Sequence, residues 1–152
     1  SSGAKRGVEV GTATGYGAIL MGIGFERNGG KLISVDIDAK MVQAARENLK
    51  QVGLDDVVTV IEGDALKVLP TLEGEFDFVY IDAVKTDYLK YSQALEPKLV
   101  PGAVIVADNV IRSGKAMPDF FEVIHKSPNY ISNTIRSDES KRDGMMVIYK
   151  VK

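Results

Sequence analysis

Apolar residues fall along the chain in short runs: "GVEV" at 7–10, "KLISVD" at 31–36, "VVTVIEG" at 57–63, "FDFVYIDA" at 76–83 and "AVIVADN" at 103–109. Each run but the last leads into a stretch with helical period or turn chemistry. Strand-length apolar runs alternating with helices predict an α/β fold, a mostly parallel sheet with helices on both faces. The clearest helix spans Ala39 to Val52, with Met41, Val42, Ala45, Leu49 and Val52 on one face, Asp38 as its N-cap and Gly53 as its stop. Further helices are predicted over Tyr16–Glu26, Asp87–Leu99 and Met117–His125, and "LVPGAV" reads as a turn into the fifth strand. After His125 the texture changes. "NYISNTIRS" and "GMMVIYKVK" read as two strands that pair antiparallel at the end of the sheet, across the charged "DESKRD" connection.

The chain has 152 residues, 45% of them hydrophobic, which is the size of one domain with a sizeable core, so residues 1–152 are expected to form a single unit. Nineteen basic and 21 acidic residues leave a net charge of -2, which gives no general attraction for nucleic acid or an anionic membrane. With no cysteine and one histidine, His125, any metal would be held through oxygen. His125 itself reads as a helix C-terminal residue without a role. No apolar run reaches the roughly 18 residues of a membrane span, and the expected location is the cytoplasm.

"VEVGTATGYG" places Gly11, Gly15 and Gly17 between the first strand and the first helix. Glycines there let backbone approach a ligand, and a helix N-terminus offers free N–H groups to an anion. The spacing G-x-x-x-G-x-G differs from the dinucleotide fingerprint G-x-G-x-x-G. Asp36 ends the second strand about 20 residues on, where a carboxylate can accept both hydroxyls of a ribose. Glu9 interrupts the apolar first strand, so it lies either exposed on an edge or facing a polar ligand. Gly63, Asp64 and Ala65 follow the third strand, where they could read a base edge; Asp64 could equally cap the following turn.

Two apolar strands end in acids. "FVYIDAVKTDY" carries Asp82 and, three residues later, Lys85; "VIVADNVI" carries Asp108 and Asn109. Parallel strands deliver their ends to one edge, and two carboxylates brought together repel unless a proton or cation lies between them. Two carboxylates and an amide carbonyl suit a hard divalent cation: Mg²⁺ foremost, with Ca²⁺ or Mn²⁺ as alternatives. The competing reading makes Asp108 a loop cap and Asn109 a turn residue. Lys85 could be a solvated ion-pair partner; beside a cation its ammonium form is disfavoured, which would suit it to take a proton.

Together, "VEVGTATGYG", "ISVDID", "EGDAL", "YIDAVKTDY", "LVPGAVIVADNV" and "DGMMVIYK" resemble the divalent-cation-dependent S-adenosylmethionine O-methyltransferases typified by catechol and caffeoyl-CoA O-methyltransferases. The resemblance implies a Rossmann-like class I methyltransferase core, a seven-stranded, mostly parallel sheet whose last strand is antiparallel. It places Glu9, Gly11, Thr12 and Gly17 at the methionine part of S-adenosylmethionine, Asp36 at the ribose and Ala65 at the adenine. It makes Asp82, Asp108 and Asn109 metal ligands, with Asp82 also near the cofactor's amino group, and Lys85 the general base. The substrate implied is a small hydroxylated aromatic.

Three departures accompany the resemblance: Gly17 where many relatives carry serine, Ala83 where the catechol enzyme has histidine, and no counterpart of the family's N-terminal helices. Without that layer, apolar surface would be left on which a homodimer could form. Two alternatives stay open. One is methylation of a hydroxylated base in tRNA, for which "KRDG" with Arg112, Lys115 and Arg136 is the basic candidate surface; the other is a cofactor-binding core without turnover.

Overall fold

The computed structural model describes residues 3–138, 140 and 142–152. Seven strands form one sheet: β1 (Arg6–Val10), β2 (Lys31–Asp36), β3 (Val58–Glu62), β4 (Phe76–Ile81), β5 (Leu99–Ala107), β6 (Tyr130–Asp138) and β7 (Asp143–Lys150). Their order is β3-β2-β1-β4-β5-β7-β6. The first five are parallel neighbours, and β7 runs antiparallel to both β5 and β6. The terminal hairpin therefore enters the sheet with its second strand inward. The charged connection contributes to the ladder, since Asp138 pairs with Asp143; its Glu139 and Lys141 lie outside the described residues.

Alternation along the strands divides the core between the two faces of the sheet. Val8, Val10, Val79, Ile81, Ile105 and Ile148 belong to a cluster completed by Tyr88, Leu95, Phe120 and Ile124. These last four come from the helices α4 (Tyr88–Leu95) and α5 (Pro118–Lys126). A second cluster joins Leu32, Val58 and Val60 to Ala18, Phe25, Val42, Ala45 and Leu49 of α1 (Tyr16–Asn28) and α2 (Ala39–Gln51). Where that second face reaches the hairpin, Ile131, Ile135 and Tyr149 stand exposed on the side of the sheet away from α5.

Three boundaries differ from the sequence expectation for local reasons. α1 runs two residues further, to Asn28, and stops at Gly29 in a left-handed conformation. The helix expected over 87–99 ends at Leu95, because Pro97 brings no N–H to continue it and the chain tightens into a 3-10 turn, Glu96–Lys98. Pro101 and Gly102 lie inside β5 and do not precede it. Phe76 pairs with Leu99 and Phe78 with Val104, so the strand bulges, and the Pro-Gly pair (Gly102 φ 89°) supplies that irregularity. α2 is capped as read, since the Asp38 carboxylate accepts the amides of Lys40 and Met41 and Gly53 follows its end with φ 72°, but the helix ends at Gln51, and Val52, expected on its apolar face, is exposed.

Candidate functional site

The carboxyl ends of the parallel strands are bound to one another beyond the ladder. Amides of Gly11, Asp82, Gly63 and Asp108 donate to the carbonyls of Val35, Val10, Asp36 and Ile81, each at 2.9 Å. This staircase brings the ends of β1 to β5 to one edge, the general location of ligand sites in open α/β sheets. A cavity of about 560 Å³ opens there, lined among others by Gly11, Ala13, Asp36, Asp64, Ala65 and Asp82. That volume suits a nucleoside-sized ligand.

The glycine loop owes its shape to close approach. Gly11 has φ 101°, and a Cβ on it would stand 2.0 Å from the Asp82 carbonyl oxygen, so only glycine lets β1 and β4 end side by side. The Asp36 carboxylate accepts the amides of Ala13 (2.8 Å) and Asp38 (3.0 Å), which ties it to the loop and leaves further lone pairs for ligand hydroxyls. Asp64 caps α3 (Ala65–Val68), its Oδ1 accepting the Leu66 amide at 2.9 Å, and it also lines the cavity.

Glu9, Thr12, Gly15 and Gly17 lie beside the cavity, outside its lining. β1 is an interior strand, so Glu9 is not on an edge; it is 1% exposed. Ser34 donates to Glu9 Oε2, and the Thr12 hydroxyl is bonded to Ser34 in turn. Burial pushes the Glu9 carboxyl up to about 7; the Ser34 hydrogen bond opposes the rise, and the charges of Asp82 and Asp36 add to it. Gly17 fits against this carboxylate, because a Cβ there would come 2.7 Å from Glu9 Oε1. Gly15, at φ 88°, begins α1 with its Cα side against Ala45.

Asp82, Lys85, Asp108 and Asn109 come together at the ends of β4 and β5. Lys85 Nζ donates to Asp82 Oδ1 (2.7 Å), Asn109 Oδ1 (2.8 Å) and the Tyr88 hydroxyl (2.7 Å). The Tyr88 hydroxyl donates onward to the Asp108 carbonyl at 3.0 Å, and the Tyr80 hydroxyl donates to Asp108 Oδ2 at 2.8 Å. Burial, then hydrogen bonding to Asp108 and the nearby negative charges, pushes the Tyr80 phenol upward; burial and the charges of Asp82 and Asp108 do the same at Tyr88. Both phenols are thereby kept as donors. Among the described residues no three His, Cys, Asp or Glu side chains form a metal cluster. The candidate set is two carboxylates and an amide: the Lys85 ammonium is seated between Asp82 Oδ1 and Asn109 Oδ1, while Asp108 accepts from the Tyr80 hydroxyl at Oδ2 and from the Asn109 backbone amide at Oδ1. Asp82 is common to both parts: it lines the cavity and pairs with Lys85.

Asn109 has φ 56°, in the left-handed region that asparagine tolerates. Although burial works against it, Asp143 is held below the usual carboxylate range by the amides of Arg112 and Gly144, by the Asn109 side chain and by the Ile111 amide. Ser34, Tyr80, Tyr88 and Asp143 were not among the expected site residues. Ser34 is the polar member of the "KLISVD" run, Tyr88 closes "DAVKTDY", and Asp143 precedes the hairpin glycine; Ser34 and Asp143 gain their partners from distant segments, and Tyr88 from Lys85 three residues before it and from Asp108. His125 is exposed and stacks on Phe121, with ring centroids 5.8 Å apart. Arg112, Lys115 and Arg136 are exposed. Among the described residues no helix is long and apolar enough to cross a membrane.

Known proteins are similar to this chain in sequence and in fold. The chain is 39% identical over 120 residues to a catechol O-methyltransferase of Niastella koreensis, covering 76% of this chain and 54% of the relative. It is 41% identical over 112 residues to a catechol O-methyltransferase of Mycobacterium tuberculosis, covering 73% and 50%. The chain thus spans about half the length of these curated relatives. The fold superimposes on the O-methyltransferase TomG of Streptomyces achromogenes, solved in complex with SAM, with a TM-score of 0.92, 26% identity, and coverage of 99% of this chain and 75% of that one. An O-methyltransferase from Bacillus cereus, solved with SAH, gives a TM-score of 0.87 at 28% identity, with coverage of 99% and 76%. A family model described as O-methyltransferase matches residues 1–148, and the chain belongs to that family.

Proposed function

We propose that the chain is the catalytic core of an S-adenosylmethionine-dependent O-methyltransferase that uses a divalent cation, Mg²⁺ foremost, and methylates a hydroxyl of a small catechol-like aromatic. The observation that carries this reading is Asp82, which lines the nucleoside-sized cavity and is joined through the Lys85 ammonium to the Asn109 amide oxygen.

In this reading Asp36 and Ala65 hold the ribose and adenine, while Gly11, Thr12, Gly15 and Gly17 shape the loop beside the methionine part. Glu9, backed by Ser34, faces that loop as a buried carboxylate suited to a cationic group. Asp82, Asp108 and Asn109 would hold the cation, whose chemistry when bound is to favour ionisation of a substrate hydroxyl. Lys85, once a proton has left its ammonium group for solvent, would receive the hydroxyl proton on the neutral amine, with Asp82 and Tyr88 holding the lysine in reach of the site. Tyr80, bonded to Asp108 Oδ2, keeps that carboxylate from turning. The O–C bond then forms as the sulfonium C–S bond breaks, so the chain's contribution is largely to position two reactants. The exposed Ile131, Ile135 and Tyr149 give a homodimer a surface to form on.

The test is methyl transfer from S-adenosylmethionine to 3,4-dihydroxybenzoate, with Mg²⁺ and with a chelator. Transfer that requires Mg²⁺ and drops by about 10²-fold or more in Asp108→Ala is the expected outcome. Transfer indifferent to both would remove the cation from the reading. Binding of S-adenosylhomocysteine with no transfer to any dihydroxy aromatic would leave only a cofactor-binding core.

A further inference from the structure

We propose that Ser34 is a positioning residue for the amino-acid end of the cofactor: it holds Glu9 Oε2, so that Oε1 is the oxygen turned to the first turn of α1. This rests on the reading of the glycine loop as the place of the methionine part. A carboxylate has two equivalent oxygens and a soft terminal torsion, so a partner on one of them decides where the other points.

The sheet supplies that partner. Glu9 stands opposite Ser34 of β2 and Tyr80 of β4, and in-register neighbours in a parallel sheet share a face. Both neighbours carry a hydroxyl, but Tyr80 donates its proton to Asp108 Oδ2 at 2.8 Å. Ser34 donates to Glu9 Oε2 and is bonded in turn to the Thr12 hydroxyl. A serine has one O–H, so with Ser34 donating to Glu9 the Thr12 hydroxyl must be the donor to Ser34. The result is a one-way chain from the glycine loop through β2 to β1, with each proton directed toward the carboxylate. Thr12, Ser34 and Glu9 are 2%, 0% and 1% exposed, so bulk water does not stand ready to replace a lost link.

Glu9 Oε1 lies against α1, 2.7 Å from where a Cβ on Gly17 would stand. With Oε2 held, Oε1 keeps its lone pairs for an ammonium group, the charged donor at the amino-acid end of the cofactor. Burial raises the Glu9 carboxyl and the Ser34 hydrogen bond opposes the rise, which favours the ionised form that such a group needs. Ser34 therefore acts on the cofactor through Glu9, without touching it.

The test compares S-adenosylhomocysteine with methylthioadenosine, which keeps the adenosine and the sulfur and lacks the amino-acid part. Both are titrated by calorimetry into wild type, Ser34→Ala, Glu9→Gln and the double variant Glu9→Gln/Ser34→Ala. Ser34→Ala is expected to weaken S-adenosylhomocysteine by about tenfold or more, to leave methylthioadenosine within about twofold, and to have little further effect once Glu9 is glutamine. An equal loss for both ligands overturns the assignment, since it marks a merely structural serine, as does the same loss in both Glu9 backgrounds. A Ser34→Ala chain that does not fold is replaced by Ser34→Cys, of similar size and with only a weak donor, and is read against the same outcomes. Wild type that binds neither ligand, or both equally, removes the methionine part from this loop and the role of Ser34 with it. A wild-type preference for S-adenosylhomocysteine that survives intact in Ser34→Ala overturns the role of Ser34 alone.

Discussion

At the ends of β1 to β3 the cleft is built largely of backbone, and at the ends of β4 and β5 it is built of side chains. The first region has Gly11 packed on the Asp82 carbonyl and Asp36 tied to the amides of Ala13 and Asp38. The second has Lys85, Tyr80, Tyr88, Asp108 and Asn109 in one hydrogen-bonded group drawn from the ends of β4 and β5 and the start of α4. A backbone cradle suits a ligand whose outline is constant. A side-chain cluster suits the chemistry, because charge and proton position there are set by groups that can move. The hinge between the two is Asp82, whose backbone meets the glycine loop and whose carboxylate meets Lys85.

The largest effect is therefore expected at that hinge. Asp82→Ala should lower methyl transfer by about 10³-fold or more, because it removes a cation ligand and the lysine's anchor together. It should also weaken S-adenosylhomocysteine binding, seen by calorimetry. Full cofactor affinity in this variant would show that the two regions are independent.

Next comes Glu9, which tests the buried side of the cradle. Its carboxyl is lifted from 4.5 to about 7 by burial, so between those values the folded chain keeps a proton that the unfolded chain has released. Stability is then greatest below about pH 4.5 and falls as pH rises to about 7, by at most about 3 kcal/mol. Urea denaturation across that range should show this slope in wild type relative to Glu9→Gln; parallel curves would contradict it. The smallest effect is expected from Asp36→Ala, about tenfold or somewhat more in S-adenosylhomocysteine affinity, the worth of one charge-assisted hydrogen-bond pair. Mn²⁺ binding should stay unchanged in that variant.

The same contrast explains what was legible in the sequence. Strand order aside, the parallel sheet, the cap at Asp38, the loop glycines and the acids at the strand ends follow from local pattern, because each is decided within a turn or a strand of its neighbours. The sequence argument that Asp82 and Asp108 need a cation between them was met in part by the chain itself, through the Lys85 ammonium beside Asp82. Pro97 and Pro101 moved two boundaries through effects that helical periodicity does not register. Ser34, Tyr80 and Asp143 could not be read as site residues, since a polar residue in a strand or hairpin gains such a role only from partners 20 or more positions away, whereas Tyr88, at the start of α4, has Lys85 three residues before it and Asp108 twenty after. Glu9 was legible as an anomaly, and its burial in an interior strand became clear only from the order of the sheet.

The central claim is that the cradle and the side-chain cluster form one site through Asp82. Calorimetric titration of catechol into the S-adenosylhomocysteine complex, with and without Mg²⁺, tests it most directly. The account predicts that S-adenosylhomocysteine binds and that catechol then binds only when Mg²⁺ is present. Absence of S-adenosylhomocysteine binding, or catechol binding equally well with and without Mg²⁺, would contradict it.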